Sequence, residues 1–89
     1  MKTIHLEISG KVQGVFFRSS AKEIAELYEI SGWIRNTCDD KVEVLITGRE
    51  EDVQKFIEWC NEGPDKAKVE HVAIANAELQ TFNRFEVIR

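Results

Sequence analysis

The first residues of the chain alternate between apolar and polar side chains. Within residues 2–9, KTIHLEIS, the side chains of Ile4, Leu6 and Ile8 fall on one face and polar side chains fall on the other. This period of two is typical of a strand with one buried face. The segment lacks the continuous apolar run of a secretory signal, so we expect a cytoplasmic protein.

Two later segments repeat apolar side chains at helical spacing. Residues 19–29 and residues 50–61 each place four apolar side chains on one face, which predicts two amphipathic helices. The Gly63-Pro64 pair is expected to end the second helix. The apolar positions are Ala21, Ile24, Ala25 and Tyr28 in the first helix and Val53, Phe56, Ile57 and Cys60 in the second.

The remaining apolar runs are short and predict strands. Residues 31–36, SGWIRN, and residues 41–48, KVEVLITG, are separated by four residues, as in a hairpin. Residues 68–79, KVEHVAIANAEL, and residues 82–88, FNRFEVI, predict two more strands. The order is therefore strand, helix, strand, strand, helix, strand, with a further short strand near the end.

This order predicts one α+β domain over residues 1–89. Helices with a single apolar face suit an antiparallel sheet of four to five strands that carries both helices on one face. This arrangement is the ferredoxin-like split βαβ sandwich. A chain of 89 residues can bury enough surface to fold without disulfides or a structural metal.

The negative net charge of the chain argues against some classes of binding partner. Twelve basic and sixteen acidic residues give a formal net charge of -4, which argues against nucleic acids and membranes, because both attract clustered cations. An RNA-recognition domain shares the predicted topology. However, the outer face of the first strand offers Thr3, His5 and Glu7 rather than aromatic side chains. No large apolar surface stripe is evident, so we expect a monomer.

Cysteine and histidine are sparse. Cys38 and Cys60 are too few and too far apart for a disulfide framework or a CxxC motif, so we expect free thiols, a single disulfide being the alternative. His5 and His71 have no partner at ligand spacing. The sequence therefore predicts neither a metal site nor a cofactor.

The loop between the first strand and the first helix carries more chemistry than a connector needs. Residues 9–23 read SGKVQGVFFRSSAKE. Gly10 and Gly14 permit positive φ, so the N–H groups from Gln13 to Arg18 can converge at a helix N-terminus. Such amides bind phosphate together with an arginine side chain. The spacing alone also fits a tight turn with a solvated arginine, and it matches neither a Walker loop nor a dinucleotide fingerprint.

Longer motifs decide between these interpretations. The segment GKVQGVFFR, followed by GWIRNT and KVEV, resembles the acylphosphatase family, and the similarity continues through FIEWCNEGPDKAKVEHV to the terminal FEVI. It covers essentially the whole chain. The resemblance implies a ferredoxin-like fold and hydrolysis of acyl phosphates to a carboxylate and inorganic phosphate, with no metal and no covalent intermediate.

The resemblance also implies roles for single residues. Arg18 matches the family's phosphate-binding arginine, and Asn36 matches the asparagine that orients the attacking water. Thr37 is a candidate to support Asn36, the alternative being a plain hairpin residue. Inorganic phosphate and sulfate are expected to compete with the substrate. The phosphate cradle is expected to comprise Gln13, Gly14, Val15, Phe16, Phe17 and Arg18.

The chemistry agrees with this assignment. An acyl phosphate releases a carboxylate, which is stable at neutral pH and needs no general acid. Phosphoryl transfer through a loose transition state asks mainly for positioning and for compensation of negative charge. Arginine and backbone amides supply the charge compensation, and an asparagine supplies the positioning.

Two alternatives share the scaffold. One is a non-catalytic module that binds an anion. The other is a carbamoyl-phosphate-handling domain of the kind found at the start of larger maturation proteins, which we expect less because the chain stops at Arg89. The sequence does not identify the physiological acyl phosphate.

Two positions depart from the family pattern. Glu29 stands where relatives usually have a glycine at the end of the first helix, and Asp40 stands where many have a hairpin glycine. Glutamate tolerates the left-handed backbone region poorly, and aspartate tolerates it better. These departures affect local stability rather than chemistry.

Overall fold

The computed structural model describes residues 1–89 and contains five strands and two helices. Helix α1 begins and ends two residues earlier than the periodicity predicts. The longer helix, α2, has 13 residues, and neither helix is long and apolar enough to cross a membrane. The elements are β1 (Lys2–Lys11), α1 (Phe17–Leu27), β2 (Ser31–Asn36), β3 (Val42–Gly48), α2 (Glu50–Glu62), β4 (Lys68–Ala77) and β5 (Phe85–Ile88).

The five strands form one sheet in the order β4-β1-β3-β2-β5. Strand β3 lies between β1 and β2 and runs antiparallel to both, and β4 is antiparallel to β1. This is the predicted ferredoxin-like α+β fold. Because β1 and β2 point the same way, their C-terminal ends lie at the same edge of the sheet.

Strand β5 differs from the prediction of a purely antiparallel sheet, because it pairs parallel to β2. Residues 78–84 cross the end of the sheet where β1 and β2 begin, so β5 starts beside the start of β2 and follows its direction. Gln80 fixes this crossing. Its N–H donates to Thr3 Oγ1, and its carbonyl oxygen accepts from Thr47 Oγ1, both at 2.9 Å.

One face of the sheet packs against both helices and forms a single core of 18 buried residues. Ile4, Leu6 and Ile8 point into this core, as their alternation predicts. The apolar stripe of α2 is fully buried, and that of α1 is buried at its two alanines. Period-two and helical patterns therefore identified the buried faces correctly.

Both helices are followed by a residue with positive φ. Gly63 follows α2 with φ 70°, in agreement with the predicted stop. Glu29 follows α1 with φ 54°, and the N–H of Ile30 donates to the carbonyl of Ala25 at 2.8 Å. This hydrogen bond is that of a Schellman cap, in which glycine is preferred. Asp40 in the hairpin is also left-handed, with φ 67°.

Both cysteines are free thiols. Cys38 is exposed in the hairpin, and Cys60 lies in the core. Burial raises the pKa of the Cys60 thiol well above its usual range. Cys60 is therefore an apolar packing residue.

Candidate active site

A pocket of about 420 Å³ lies beside the loop between β1 and α1 and the end of β2. It forms there because β1 and β2 end at the same edge of the sheet and α1 begins next to them. Five of its lining residues were predicted for the site, namely Gly14, Phe16, Phe17, Arg18 and Asn36. The pocket is lined by Val12, Gly14, Phe16, Phe17, Arg18, Ser19, Asn36, Val87 and Arg89.

The loop presents unpaired backbone amides at the helix N-terminus. No N–H group from Gln13 to Arg18 donates a hydrogen bond within the protein. Gly14 at φ 73° and Phe16 at φ 63° are both left-handed. The first amides of a helix have no internal acceptor, and the helix dipole makes this end positive. Free amides at such a helix end have the geometry and charge that suit an anion.

Gly10 lets β1 approach β4 closely before the loop begins. The β1–β4 register shifts between Ser9 and Gly10, and Gly10 has φ 123°. A β-carbon at this position would lie 2.1 Å from the carbonyl oxygen of Lys68. Glycine is therefore required at residue 10, whereas Gly14 is required only for its backbone conformation, because nothing lies near its absent side chain.

Arg18 lies in the first turn of α1. Its Nη1 donates to the carbonyl of Ile88 at 3.2 Å, which is the only hydrogen bond that its guanidinium forms within the protein. No salt bridge neutralises the guanidinium. A guanidinium carries five N–H donors, so four are free to bind an anion in the pocket.

Asn36 ends β2 and lines the same pocket. Its Oδ1 atom is buried and has no hydrogen-bond partner in the protein. A buried acceptor without a partner costs about 1–3 kcal/mol, so native proteins rarely retain one without a ligand or water to bond it. Asn36 and Arg18 line one pocket, so the unused acceptor of Asn36 lies on a residue that borders the space beside the Arg18 guanidinium.

The Gln13 side chain links the loop to the β2–β3 hairpin. Its Nε2 donates to the carbonyl of Thr37 at 2.9 Å and to the carbonyl of Lys41 at 2.8 Å. The Thr37 hydroxyl in turn donates to Asp39 Oδ1 at 2.5 Å and accepts from the Lys41 N–H at 3.1 Å. Thr37 thus shapes the turn that follows Asn36.

The other predicted cradle residues anchor the loop through their side chains. Val15 is 4% exposed and Phe17 is 1% exposed, and the Phe17 ring centroid lies 5.2 Å from that of Trp59. The core therefore fixes the loop on both sides of Phe16. Neither Gln13 nor Val15 lines the pocket, so the structure brings four of the six predicted cradle residues to it, namely Gly14, Phe16, Phe17 and Arg18.

Arg35 and Arg89 were not predicted for the site. Both line an adjoining cleft of about 360 Å³ together with Arg18 and Asn36. Arg35 reaches this edge on β2, and Arg89 follows the strand that pairs parallel to β2. Because this parallel pairing is not visible in the sequence, local patterns gave no reason to place Arg89 here.

Glu43 balances the charge of Arg35 on the open face of the sheet. Arg35 Nε donates to Glu43 Oε1 at 2.6 Å, and His5 Nε2 lies 2.7 Å from Glu43 Oε2. The hydrogen bond from His5, followed by the contact with Arg35, holds the pKa of the Glu43 carboxyl below its usual value. His5 is therefore a sheet-face residue, as predicted.

No group of three or more His, Cys, Asp or Glu side chains is arranged to hold a metal ion. The polar groups at the site are instead amides, a guanidinium and a carboxamide. Together with the fold, they define an α+β protein of the ferredoxin-like class whose pocket carries free hydrogen-bond donors suited to an anion.

Known proteins combine the same fold and motifs. The acylphosphatase family model matches residues 4–87. An acylphosphatase of Gloeobacter violaceus is 40% identical over 85 residues, which cover 96% of this chain and 91% of the relative. The chain belongs to the acylphosphatase family, whose activity is the hydrolysis of acyl phosphates.

Solved structures agree with this membership. An acylphosphatase from Coxiella burnetii superposes with a TM-score of 0.94 at 36% identity and covers 98% of this chain and 92% of its own. An acylphosphatase from Bacillus subtilis gives a TM-score of 0.96 at 30% identity, with both chains fully covered. The sequence resemblance to this family is thus confirmed at the level of fold and family.

Proposed function

We propose that the chain hydrolyses acyl phosphates with Arg18 and the amides of Gln13–Arg18 holding the phosphoryl group and Asn36 orienting the attacking water. The products are a carboxylate and inorganic phosphate, and no metal ion takes part. The single observation that carries the proposal is that Asn36, whose Oδ1 has no hydrogen-bond partner, lines the same pocket as the free guanidinium of Arg18.

Arg18 and the loop amides compensate the charge of the phosphoryl oxygens. In a loose transition state the negative charge is shared among the equatorial oxygens, where several fixed N–H donors can reach it. These donors are held by the helix start and the buried side chains of Val15 and Phe17, so little reorganisation is needed during the reaction.

Asn36 supplies orientation rather than basicity. A carboxamide does not accept a proton at neutral pH, but its oxygen accepts a hydrogen bond and holds a water molecule near the phosphorus atom. Water needs little activation when the transition state is loose, so fixing its position is the main contribution. Thr37 acts indirectly, through the turn that follows Asn36.

The leaving group of an acyl phosphate needs no general acid. The departing carboxylate is stable as an anion at neutral pH and leaves without a proton. The same donors that bind the substrate also bind inorganic phosphate and sulfate, which therefore compete with it.

We also propose that residues 1–89 act as a single monomeric domain in the cytoplasm. All seven elements surround one core, which supports a single domain. The exposed thiol of Cys38 is best preserved in a reducing compartment, which supports the location. Gel filtration and cell fractionation measure these two properties.

Two alanine variants test the roles of Arg18 and Asn36 with benzoyl phosphate as substrate. Arg18→Ala should lower kcat by about 10²–10³-fold and weaken inhibition by phosphate, because Arg18 contacts the phosphoryl group before and during the reaction. Asn36→Ala should lower kcat by a comparable factor and change the inhibition constant for phosphate by less than about threefold, because the cradle is intact.

Circular dichroism and thermal unfolding must first show that both variants are folded, since Asn36 ends a strand. Near-normal turnover of folded Asn36→Ala would contradict the water-orienting role. Loss of phosphate affinity in Asn36→Ala would instead make Asn36 part of the anion cradle. If the wild-type protein binds phosphate but does not hydrolyse benzoyl phosphate above background, it is a non-catalytic anion-binding module.

A further inference from the structure

The adjacent residues Phe16 and Phe17 have opposite environments. Phe17 is 1% exposed and packs against Trp59 in the core. Phe16 is 74% exposed, and it is the one aromatic residue of the chain with an exposed side chain. Burial therefore explains the phenylalanine at residue 17 but not the phenylalanine at residue 16.

The backbone of Phe16 makes its identity more unusual. It has φ 63° and ψ 26° and occupies the N-cap of α1, and its side chain forms no capping hydrogen bond. Helix N-caps favour Ser, Thr, Asp, Asn or Gly. A bulky side chain is strained in the left-handed region, where Gly and Asn are tolerated best. Neither capping nor backbone geometry explains a phenylalanine here.

The position of Phe16 supplies an explanation. Phe16 lines the same pocket as Arg18 and Asn36, and apolar residues Val12 and Val87 line it as well. When Arg18 and the loop amides hold the phosphoryl group, the part of the pocket lined by Phe16, Val12 and Val87 is the apolar surface next to it on which an acyl group can rest. Backbone strain that persists at such a site is a reason to look for a role in ligand binding.

We infer that Phe16 contacts the acyl group and gives the site a preference for acyl phosphates with an aromatic or other flat apolar acyl group. This inference rests on the function proposed above. An exposed ring that gains nothing from the core can pack against a second ring in an offset or edge-to-face arrangement. Such a contact is available to a benzoyl group and not to an acetyl group.

The test compares kcat/KM for benzoyl phosphate and acetyl phosphate in the wild type and in Phe16→Asn. Asparagine tolerates the left-handed backbone and removes the ring. The ratio of kcat/KM for benzoyl over acetyl phosphate should fall by about three- to tenfold, the range expected for one aromatic contact. Comparing ratios cancels the different intrinsic reactivities of the two substrates.

Two control variants separate the effect of the Phe16 aromatic ring from the effect of relieved backbone strain. Phe16→Tyr keeps an aromatic face and should keep the wild-type ratio. Glu29→Gly relieves the same kind of backbone strain away from the pocket and should also keep it. An unchanged ratio in Phe16→Asn overturns the inference, and so does an equal fall in Phe16→Tyr.

A binding measurement separates this inference from the proposed function. Benzoylphosphonate and acetylphosphonate resemble the two substrates but carry a P–C bond that the enzyme cannot hydrolyse. Calorimetry should show tighter binding of benzoylphosphonate to the wild type, with the difference reduced in Phe16→Asn. Absence of turnover of both phosphates contradicts the proposed function. Turnover of both with equal phosphonate affinities contradicts only the role of Phe16.

Discussion

Gln13 donates a 2.9 Å hydrogen bond from its side-chain Nε2 to the main-chain carbonyl of Thr37, a residue 24 positions later in the chain. The same nitrogen donates to the carbonyl of Lys41 at 2.8 Å. The loop that follows β1 is therefore tied to the hairpin that follows β2. The loop leads directly into Arg18 at the start of α1, and the hairpin directly follows Asn36 at the end of β2, so the Gln13 side chain helps to fix the relative position of these two residues.

Loss of this link should affect both stability and rate. Gln13→Ala removes two hydrogen bonds and should lower the free energy of unfolding by about 1–2 kcal/mol. We expect kcat to fall by about tenfold, because small displacements of positioned groups slow a reaction that depends on alignment. Urea unfolding and steady-state kinetics measure the two effects.

Gln13→Glu is the matched control for this prediction. It keeps the length of the side chain and replaces the two N–H donors with acceptors that face carbonyl oxygens. It should be at least as destabilising as Gln13→Ala. Wild-type stability in both variants would show that the two hydrogen bonds contribute nothing measurable.

Metal chelation provides a second prediction. If amides and Arg18 carry the charge compensation, kcat and KM should be unchanged in excess EDTA, while phosphate and sulfate should inhibit competitively. The comparison is made with benzoyl phosphate before and after dialysis against chelator. Activity that disappears with EDTA and returns with added Mg²⁺ or Zn²⁺ would show that the mechanism is wrong.

The left-handed Glu29 provides a third prediction. Glu29→Gly should raise the free energy of unfolding by about 1 kcal/mol, because glycine adopts φ 54° without the steric conflict of a β-carbon. Turnover should be unchanged, since Glu29 does not line the pocket. Glu29→Ala is the control. It keeps the β-carbon and should give no comparable gain in melting temperature.

Glu43 provides a fourth prediction, which concerns pH. The folded protein holds the pKa of the Glu43 carboxyl below its ordinary 4.5. The contacts of the ionised carboxylate with His5 and Arg35 therefore stabilise the fold above that pH. This contribution is lost as pH falls through the lowered pKa. Glu43→Gln should therefore be less stable than wild type at neutral pH, by about 0.5–1 kcal/mol for a partly exposed pair.

The difference between wild type and Glu43→Gln should shrink as the pH is lowered from 5 to about 3. Urea unfolding at several pH values measures it. A difference that stays constant over this range would mean that the carboxylate charge does not stabilise the fold.

The cysteines provide a fifth prediction. Cys38 is exposed and Cys60 is buried with a raised pKa, so one thiol should react with a thiol reagent in the folded protein and two in denaturant. A spectrophotometric thiol titration measures this. Rapid reaction of two thiols in the folded state would indicate that the core around Cys60 opens readily.

Local patterns in the sequence determined the elements and much of the loop. The alternation in β1 identified Ile4, Leu6 and Ile8 as buried, because a strand turns successive side chains to opposite faces. The helical stripes identified the faces that pack on the sheet. Gly14 and Arg18 lie four residues apart at one strand-to-helix junction, but this spacing also fitted a tight turn, and the resemblance to the acylphosphatase family was needed to propose them for the site that both line.

Tertiary structure alone decided the features that join distant segments. Periodicity reports which face of an element is buried, but it does not report its neighbours. The parallel pairing of β5 with β2 depends on the path of residues 78–84 across the sheet, and this pairing brings Arg89 to the site. The link from Gln13 to the hairpin likewise depends on two chain segments that meet only after the sheet has formed.

Phe16 and Phe17 show the difference between what local sequence determines and what tertiary structure decides. The sequence could place both rings at a helix start, because the loop motif is local. Which ring enters the core depends on the left-handed backbone of Phe16, which leaves that side chain in solvent while Phe17 packs against Trp59. The sequence by itself thus determined the helices, the strands and the polar groups available for a site. The packing of segments that are distant in the chain decided which of those groups line the same pocket.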